Sequence, residues 1–239
     1  MKSLFTLILI AFFFTGCQTT DYSEKQDYAL VIHGGAGALT LTSVTPESRE
    51  AFIAELEQLL ETGLDMLADG HSSVEVVEKL IIQMEDSPLF NAGKGAVFTH
   101  EGINELDAAI MRGDNLHARA VAGLRNIKNP IMLARRVMEN SHHVFLSGKG
   151  AYRFALSQNL DTVPDDYFFT ERRFNALRRS LENEGIDPDS LLDGKYGTVG
   201  CVALDKMGNL TAGTSTGGMT NKKYGRIGDS PVIGAGTYA

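Results

Sequence analysis

A β-hairpin is the feature of this sequence that most constrains its fold. The segment TVGCVALDKMGNLTAGTST, residues 198–216, contains two runs of apolar and β-branched residues around the turn Met207-Gly208-Asn209. This pattern predicts two paired strands, of which the first, over Val199–Leu204, is apolar enough to be buried. Gly197 and Thr198 precede that strand. The glycine is explained either by a turn into the sheet or by chemistry at the Gly197–Thr198 bond itself.

Elsewhere the sequence alternates between strand and helix patterns. Residues 28–33 predict a buried strand, and Thr45 with Pro46 begins a helix whose apolar residues recur at helical spacing until Gly70. Ser72 and Glu75 form a capping-box pattern that begins a second helix. Further predicted elements are a strand over residues 106–111, helices over 131–138, 151–156 and 171–182, and a strand in the segment HVFLSG. The mixture indicates a mixed sheet covered by helices.

The N-terminal residues have the composition of an export signal. A charged start, an apolar run and a small-residue exit mark residues 1–17 as a secretory signal, too short for a membrane span. Its end, FTGC, is similar to the bacterial lipobox, which would make Cys17 the lipidated first residue, with a plain cleaved signal as the alternative. Residues 18–27 are predicted to form a tether. We therefore expect an exported protein, either a membrane-anchored lipoprotein or periplasmic, with Cys201 left as a buried core residue.

Charge and motif content exclude several classes of function. A net charge of −8 without a lysine or arginine run argues against nucleic-acid binding and favours a small-molecule or peptide partner. Gly35 and Gly37 match the start of a dinucleotide-binding pattern, but Thr40 stands where its third glycine belongs. The sequence has no Walker loop, no zinc spacing of its histidines and no G-x-S-x-G motif. Threonine is the nucleophile that remains.

Thr198 could serve as such a nucleophile if the chain were cut in front of it. A threonine hydroxyl needs an adjacent base, and the α-amine freed by the cut, with an ordinary pKa of about 7.7–8.0, could be that base. Gly197 would allow the hydroxyl to approach the scissile carbonyl. A hydroxyl- and glycine-rich cluster, TSTGGMT, follows on the next strand, and the segment GRIGDS adds Arg226 and Asp229.

At this point the sequence resembles the plant-type asparaginase and isoaspartyl peptidase family of N-terminal nucleophile hydrolases. The motifs IHGGAGA, SPLFNAGKGAVFT, ELDAAIM, AVAGLRNIKNPI, YGTVGCVALD and TSTGGMTNKKYGRIGDSPVIGAGTYA occur in family order. The resemblance implies an α+β fold, a four-layer αββα sandwich over residues 28–239. It also implies self-cleavage into an α subunit, residues 28–197, and a β subunit beginning at residue 198. The composition of residues 161–197, rich in acidic, basic and turn residues around one helix, predicts a mobile linker at the end of the α subunit. The subunits would stay together and pair into an (αβ)2 dimer.

The family's functional residues can be assigned by position. The resemblance makes Thr198 the nucleophile, Thr216 its supporting hydroxyl and Asn91 a residue close to the nucleophile. It makes Arg226 the partner of the substrate α-carboxylate and Asp229 the partner of the α-ammonium group. The turn residues Gly217 and Gly218 would line the substrate site. No cofactor is expected for catalysis, but a structural sodium ion would be held by backbone carbonyls of the loop residues Met84, Glu85, Ser87, Phe90, Ala92 and Lys94.

The implied reaction is hydrolysis of L-asparagine and β-aspartyl peptides to L-aspartate through an acyl-enzyme on Thr198. Two alternatives stay open: a glycosylasparaginase, which usually has aspartate at the position of Gly197, and a non-catalytic exported lipoprotein that keeps the scaffold for binding. The family's sequence continues past the position of Ala239 into an oxyanion-hole segment. We therefore expect the 239 residues by themselves to be incomplete and inactive.

Overall fold

The predicted hairpin lies inside one six-stranded sheet. The structure is a computed structural model and describes residues 27–35, 45–184 and 197–239. Within these residues the strands follow the order β1-β5-β6-β2-β3-β4, and every neighbouring pair is antiparallel except β3 and β4, which are parallel. The strands are β1 (Ala29–His33), β2 (Leu106–Arg112), β3 (Ala118–Leu124), β4 (Phe145–Ser147), β5 (Val199–Leu204) and β6 (Leu210–Thr216).

Helices fill the connections, and two of them begin as their caps predict. They are α1 (Pro46–Ala68), α2 (Ser73–Asp86), α3 (Pro130–Asn140), α4 (Gly148–Ser157) and α5 (Glu171–Glu182). At the start of α1, Thr45 Oγ1 accepts a hydrogen bond from the Ser48 amide at 3.2 Å. At the start of α2, the Ser72 amide donates to Glu75 Oε2 at 3.0 Å. No helix in the described ranges is long and apolar enough to cross a membrane.

Helices α1, α2 and α3 pack on one face of the sheet. A Cβ added to Gly213 of β6 would contact Val77 and Ile81 of α2 and Ile131 of α3, so a larger residue there would displace all three. On the opposite face the paired residues Val31 and Val202 are 65% and 37% exposed. The predicted α+β class is confirmed, and the described residues supply one sheet layer and one helix layer of the four that the resemblance implies.

Three regions differ from the sequence-based expectations. Residues 28–33 were predicted to be a buried strand, but β1 lies at the edge of the sheet and its Val31 is 65% exposed. Strand β3 was not predicted, because its small residues ARAVAGL give a weak β signal and pairing with β2 and β4 fixes them. The segment from residue 161 was predicted to be a mobile linker, but residues 161–184 are packed structure. Phe168 and Leu177 are 2% and 3% exposed, so these few apolar contacts outweigh the charged composition. The rest of the predicted linker, residues 185–196, lies outside the described residues.

Candidate active site

The hairpin register brings the predicted nucleophile to its predicted partner. Val199 of β5 pairs with Ser215 of β6, which places Thr198 beside Thr216 at the end of the ladder. The Thr198 hydroxyl donates to Thr216 Oγ1 at 3.2 Å, and Thr216 is only 1% exposed. Because residues directly opposite in antiparallel strands share a face, both hydroxyls lie on the face that the helices leave open.

The carbonyl of Gly197 receives two side-chain hydrogen bonds. Asn91 Nδ2 and Thr216 Oγ1 each donate to it at 2.8 Å. This carbonyl belongs to the Gly197–Thr198 peptide bond, so the Thr198 hydroxyl is on the residue that directly follows it. Two donors on one carbonyl, with a hydroxyl beside it, form the arrangement that stabilises a tetrahedral oxyanion when that carbonyl is attacked.

Asn91 is held by its own network of hydrogen bonds. Its Oδ1 accepts from the Val97 amide at 2.9 Å, its carbonyl accepts from the Gly217 amide at 3.1 Å, and its Nδ2 also donates to Gly218 O at 2.7 Å. A Cβ on Gly197 would lie 2.8 Å from Asn91 Cβ, and one on Gly217 would lie 2.7 Å from Asn91 Oδ1. Glycine at these positions therefore provides the space that Asn91 occupies.

Two further residues contact Thr198, and sequence reasoning missed both. Ser230 Oγ lies 3.0 Å from Thr198 Oγ1, and Ser230 is buried. His33 Nδ1 lies 2.9 Å from the Thr198 carbonyl oxygen. Ser230 directly follows Asp229, and His33 begins the motif HGGAGA, so adjacency to motifs already singled out was the available signal.

A cleft of about 460 Å³ opens in front of these hydroxyls. Thr198, Thr216 and Gly218 line it, and the exposed side chains of Arg226 and Asp229 lie at the same cleft. Neither of these two charged residues forms an ion pair with any other described residue. Both charges are available to a ligand that carries a carboxylate and an ammonium group.

Two buried carboxyl groups lie next to the site, Glu85 on the helix side of the sheet and Asp107 on the same face as Thr216. Burial raises the pKa of Glu85 to about 8, although Ser215 Oγ donates to its Oε1 at 2.6 Å and the Ile131 amide does so at 3.0 Å. Asp107 pairs with Thr216 across β2 and β6, and burial raises its pKa against the opposing effect of Lys222. Both groups therefore favour the neutral form more than an exposed carboxyl does.

The backbone of the predicted sodium loop has suitable chemistry. Its predicted ligands lie on the last turn of α2 and on the loop after it: Met84, Glu85, Ser87, Phe90, Ala92 and Lys94. A Cβ on Gly93 would overlap the carbonyl oxygen of Glu85, and one on Gly95 would overlap that of Phe90, so these carbonyls face the glycine backbone at close range. No cluster of metal-ligating side chains occurs in the described ranges. Carbonyl oxygens suit a hard cation, and sodium at this loop stays a prediction.

The fold and the polarised carbonyl beside a threonine hydroxyl are typical of a hydrolase with a threonine nucleophile. Comparison with known proteins identifies the chain as a hydrolase. Residues 26–239 match the model of a family described as asparaginase. The chain belongs to this family of N-terminal nucleophile hydrolases.

Named relatives agree with the family model. The chain is 45% identical over 245 residues to a putative isoaspartyl peptidase/L-asparaginase of Dictyostelium discoideum, covering 88% of this chain and 70% of the relative. It is 46% identical over 217 residues to an isoaspartyl peptidase of Salmonella typhimurium, covering 88% of this chain and 69% of the relative. The isoaspartyl peptidase of Escherichia coli is 45% identical over 217 residues, with 88% and 67% covered.

Proposed function

We propose that this chain is an autoprocessing threonine amidohydrolase whose substrates are L-asparagine and β-aspartyl peptides. The observation that carries the proposal is the Gly197 carbonyl, which accepts hydrogen bonds from Asn91 and Thr216 beside the Thr198 hydroxyl. The names of the relatives support the substrate class. They do not favour the glycosylasparaginase or the non-catalytic alternative.

Self-cleavage follows from the direction of these hydrogen bonds. Thr198 Oγ1 attacks the Gly197 carbonyl carbon, and its proton passes through the Thr216 hydroxyl to the carbonyl oxygen, because each hydroxyl already donates to the next acceptor. The tetrahedral intermediate then breaks its C–N bond, and the proton moves to the departing Thr198 nitrogen. Water hydrolyses the resulting ester. The products are the Gly197 carboxyl group and a Thr198 with a free amine and a free hydroxyl.

Substrate hydrolysis would use the amine released by this cut. The amine takes the hydroxyl proton of Thr198 as its Oγ1 attacks the β-carbonyl of the substrate. Ammonia or an amino acid leaves with that proton, and water then releases L-aspartate from the acyl-enzyme. Arg226 is suited to bind the substrate α-carboxylate as a planar bidentate donor, and Asp229 to bind the α-ammonium group.

Intact-mass analysis of the purified chain, alongside Thr198→Ala, tests self-cleavage. We expect a time-dependent break before Thr198 in the wild type and an intact chain in the variant. Turnover is measured with L-asparagine, a β-aspartyl dipeptide and glycosylasparagine as substrates. An uncleaved wild type that is inactive on all three would refute the proposal. Turnover of glycosylasparagine alone would show that the chain is a glycosylasparaginase and not a hydrolase of asparagine and β-aspartyl peptides.

Location, assembly and sodium binding rest on sequence alone. We propose that residues 1–17 direct export and that Cys17 carries the lipid; both lie outside the described residues. We also propose an (αβ)2 dimer and a sodium ion on the 84–94 loop. Mass spectrometry of the mature N-terminus tests lipidation, light scattering tests the dimer, and thermal unfolding in sodium against a bulky organic cation tests the metal.

A further inference from the structure

Helix α5 lies directly against the loop that carries Asn91. Arg173 Nε donates to Gly95 O at 2.8 Å. Arg172 Nη2 donates to Leu89 O at 2.8 Å and to Pro88 O at 3.1 Å. The first turn of α5 therefore holds backbone carbonyls on both sides of Asn91.

Apolar packing fixes α5 against the same segment. Phe174 of α5 packs edge-on against Phe98 with ring centroids 5.7 Å apart, and Phe169 contacts the same ring at 5.9 Å. Phe98 follows Val97, whose amide orients the Asn91 side chain. A shift of α5 would therefore reach Asn91 through the loop backbone and through Val97.

The other end of α5 contacts the segment that leads to the substrate-binding arginine. Asn221 Nδ2 donates to Ser180 Oγ at 3.2 Å, and Glu184, just past the helix, forms an ion pair with Lys223. Asn221 and Lys223 lie between the turn at Gly218 and Arg226 in the sequence. After the proposed cut, α5 would belong to the N-terminal fragment and this segment to the C-terminal one.

Arg173 has an environment that leaves the loop carbonyl as its main partner. The side chain is half-buried, and burial together with the nearby charge of Arg172 lowers its pKa to about 9. Neither arginine forms an ion pair within the described part of the chain. A hydrogen bond from a charged donor is stronger than one from a neutral donor. Arg173 donates such a bond to the backbone of the Asn91 loop.

We propose that Arg173 is a positioning residue for self-cleavage, which holds the Asn91 loop where the Asn91 amide reaches the Gly197 carbonyl. The inference rests on the proposed function, because Asn91 acts there as an oxyanion donor. Arg173 does not touch the reacting atoms and works only through Asn91. Arg172 supports the same loop from the exposed side.

The first test compares rates of self-cleavage by intact-mass time courses. We expect Arg173→Gln to slow the cut by about 10- to 100-fold, because small misplacements of a reacting group have effects of this size. Arg178→Gln, an exposed arginine of the same helix, is the matched control and should cleave at the wild-type rate. In a double-mutant cycle, Arg173→Gln should slow self-cleavage little further when Asn91 is already replaced by alanine. Full additivity, or a wild-type rate in Arg173→Gln, would overturn the proposal.

A second test does not depend on cleavage. In a Thr198→Ala chain, hydrogen exchange of the Val97 and Gly217 amides reports the position of Asn91, since both amides donate to it. Arg173→Gln should accelerate exchange at these two amides, and Arg173→Lys, which keeps the charge, should do so less and serves if the glutamine variant fails to fold. Unchanged exchange would overturn the proposal. Faster exchange in a chain whose Thr198 form never cleaves would instead refute the proposed function, and only the hold of Arg173 on the Asn91 loop would remain, without a role in self-cleavage.

Discussion

Replacing Thr216 by valine tests the two-donor arrangement at the Gly197 carbonyl. The substitution keeps the branched shape in a site that is 1% exposed and removes only the hydroxyl. That hydroxyl donates to Gly197 O at 2.8 Å and accepts from Thr198 Oγ1 at 3.2 Å. Thr216→Val therefore removes one of two oxyanion donors and the route by which the nucleophile loses its proton.

The expected size of the effect can be worked from these contacts. Loss of one oxyanion donor costs about 100- to 1,000-fold in rate. The Gly218 amide, which donates to Thr216 Oγ1 at 2.9 Å, also loses its acceptor. An unsatisfied buried amide costs about 1–3 kcal/mol, and the partly buried Gly218 amide costs less, a fraction of the roughly 5–15 kcal/mol that stabilises a typical domain. The variant should therefore fold, with a lower melting temperature, and cleave far more slowly.

The assay follows the fraction of cleaved chain by intact mass, with thermal unfolding measured on the same samples. Thr216→Ser is the matched control, because it keeps the hydroxyl and loses only a methyl group. The serine variant should cleave close to the wild-type rate. If folded Thr216→Val cleaves as fast as the wild type, Thr216 neither polarises the carbonyl nor relays the proton, and the reasoning is refuted.

Three other predictions follow from single contacts. Gly197→Ala should block cleavage in a folded chain, because its Cβ would lie 2.8 Å from Asn91 Cβ; cleavage at the wild-type rate by intact mass would contradict this. The pKa of Asp107 is raised, so the folded state holds a proton that the unfolded state releases above about pH 4. Wild-type stability should then fall relative to Asp107→Asn as pH rises through this window, measured by urea unfolding at several pH values; a difference that does not change with pH would contradict this. Burial raises the pKa of Cys201 to about 12, so iodoacetamide followed by peptide mapping should label it only after unfolding.

Local sequence patterns were sufficient to predict the helices and strands whose caps, turns and apolar spacing lie within the element itself. The predicted helix over residues 171–182 coincides with α5, and the hairpin strands β5 and β6 appear where the alternation of turn and apolar residues placed them. Sequence order alone could not show that β1 pairs with β5, because the two strands lie far apart in the chain. It also could not show that α5 packs under the Asn91 loop, since the arginines of α5 bind backbone carbonyls, which no sequence pattern records.

The candidate site was predictable in the same uneven way. Thr198 and Thr216 face each other because of one hairpin, so a local argument could bring them together. Asn91 donates to the Gly197 carbonyl from a sequence distance of 106 residues, and only the family resemblance pointed to it. Ser230 and His33 contact Thr198 without any spacing that separates them from ordinary serines and histidines. Their role at the site emerges only from the fold.

The turn of the hairpin helps to set the register that brings Thr198 opposite Thr216. Asp205 Oδ1 accepts from the Met207 and Asn209 amides at 3.0 and 2.9 Å, and its Oδ2 accepts from the Ser73 amide at the start of α2 at 2.9 Å. This carboxylate therefore fixes both the length of the turn and its position on the helix layer. Because side chains alternate along a strand, a slip of one residue would move Thr216 to the helix-packed face and Ser215 to the cleft. Asp205 thus supports the pairing of Thr198 with Thr216 from the opposite end of the hairpin, together with the pairing of β5 with β1 and of β6 with β2.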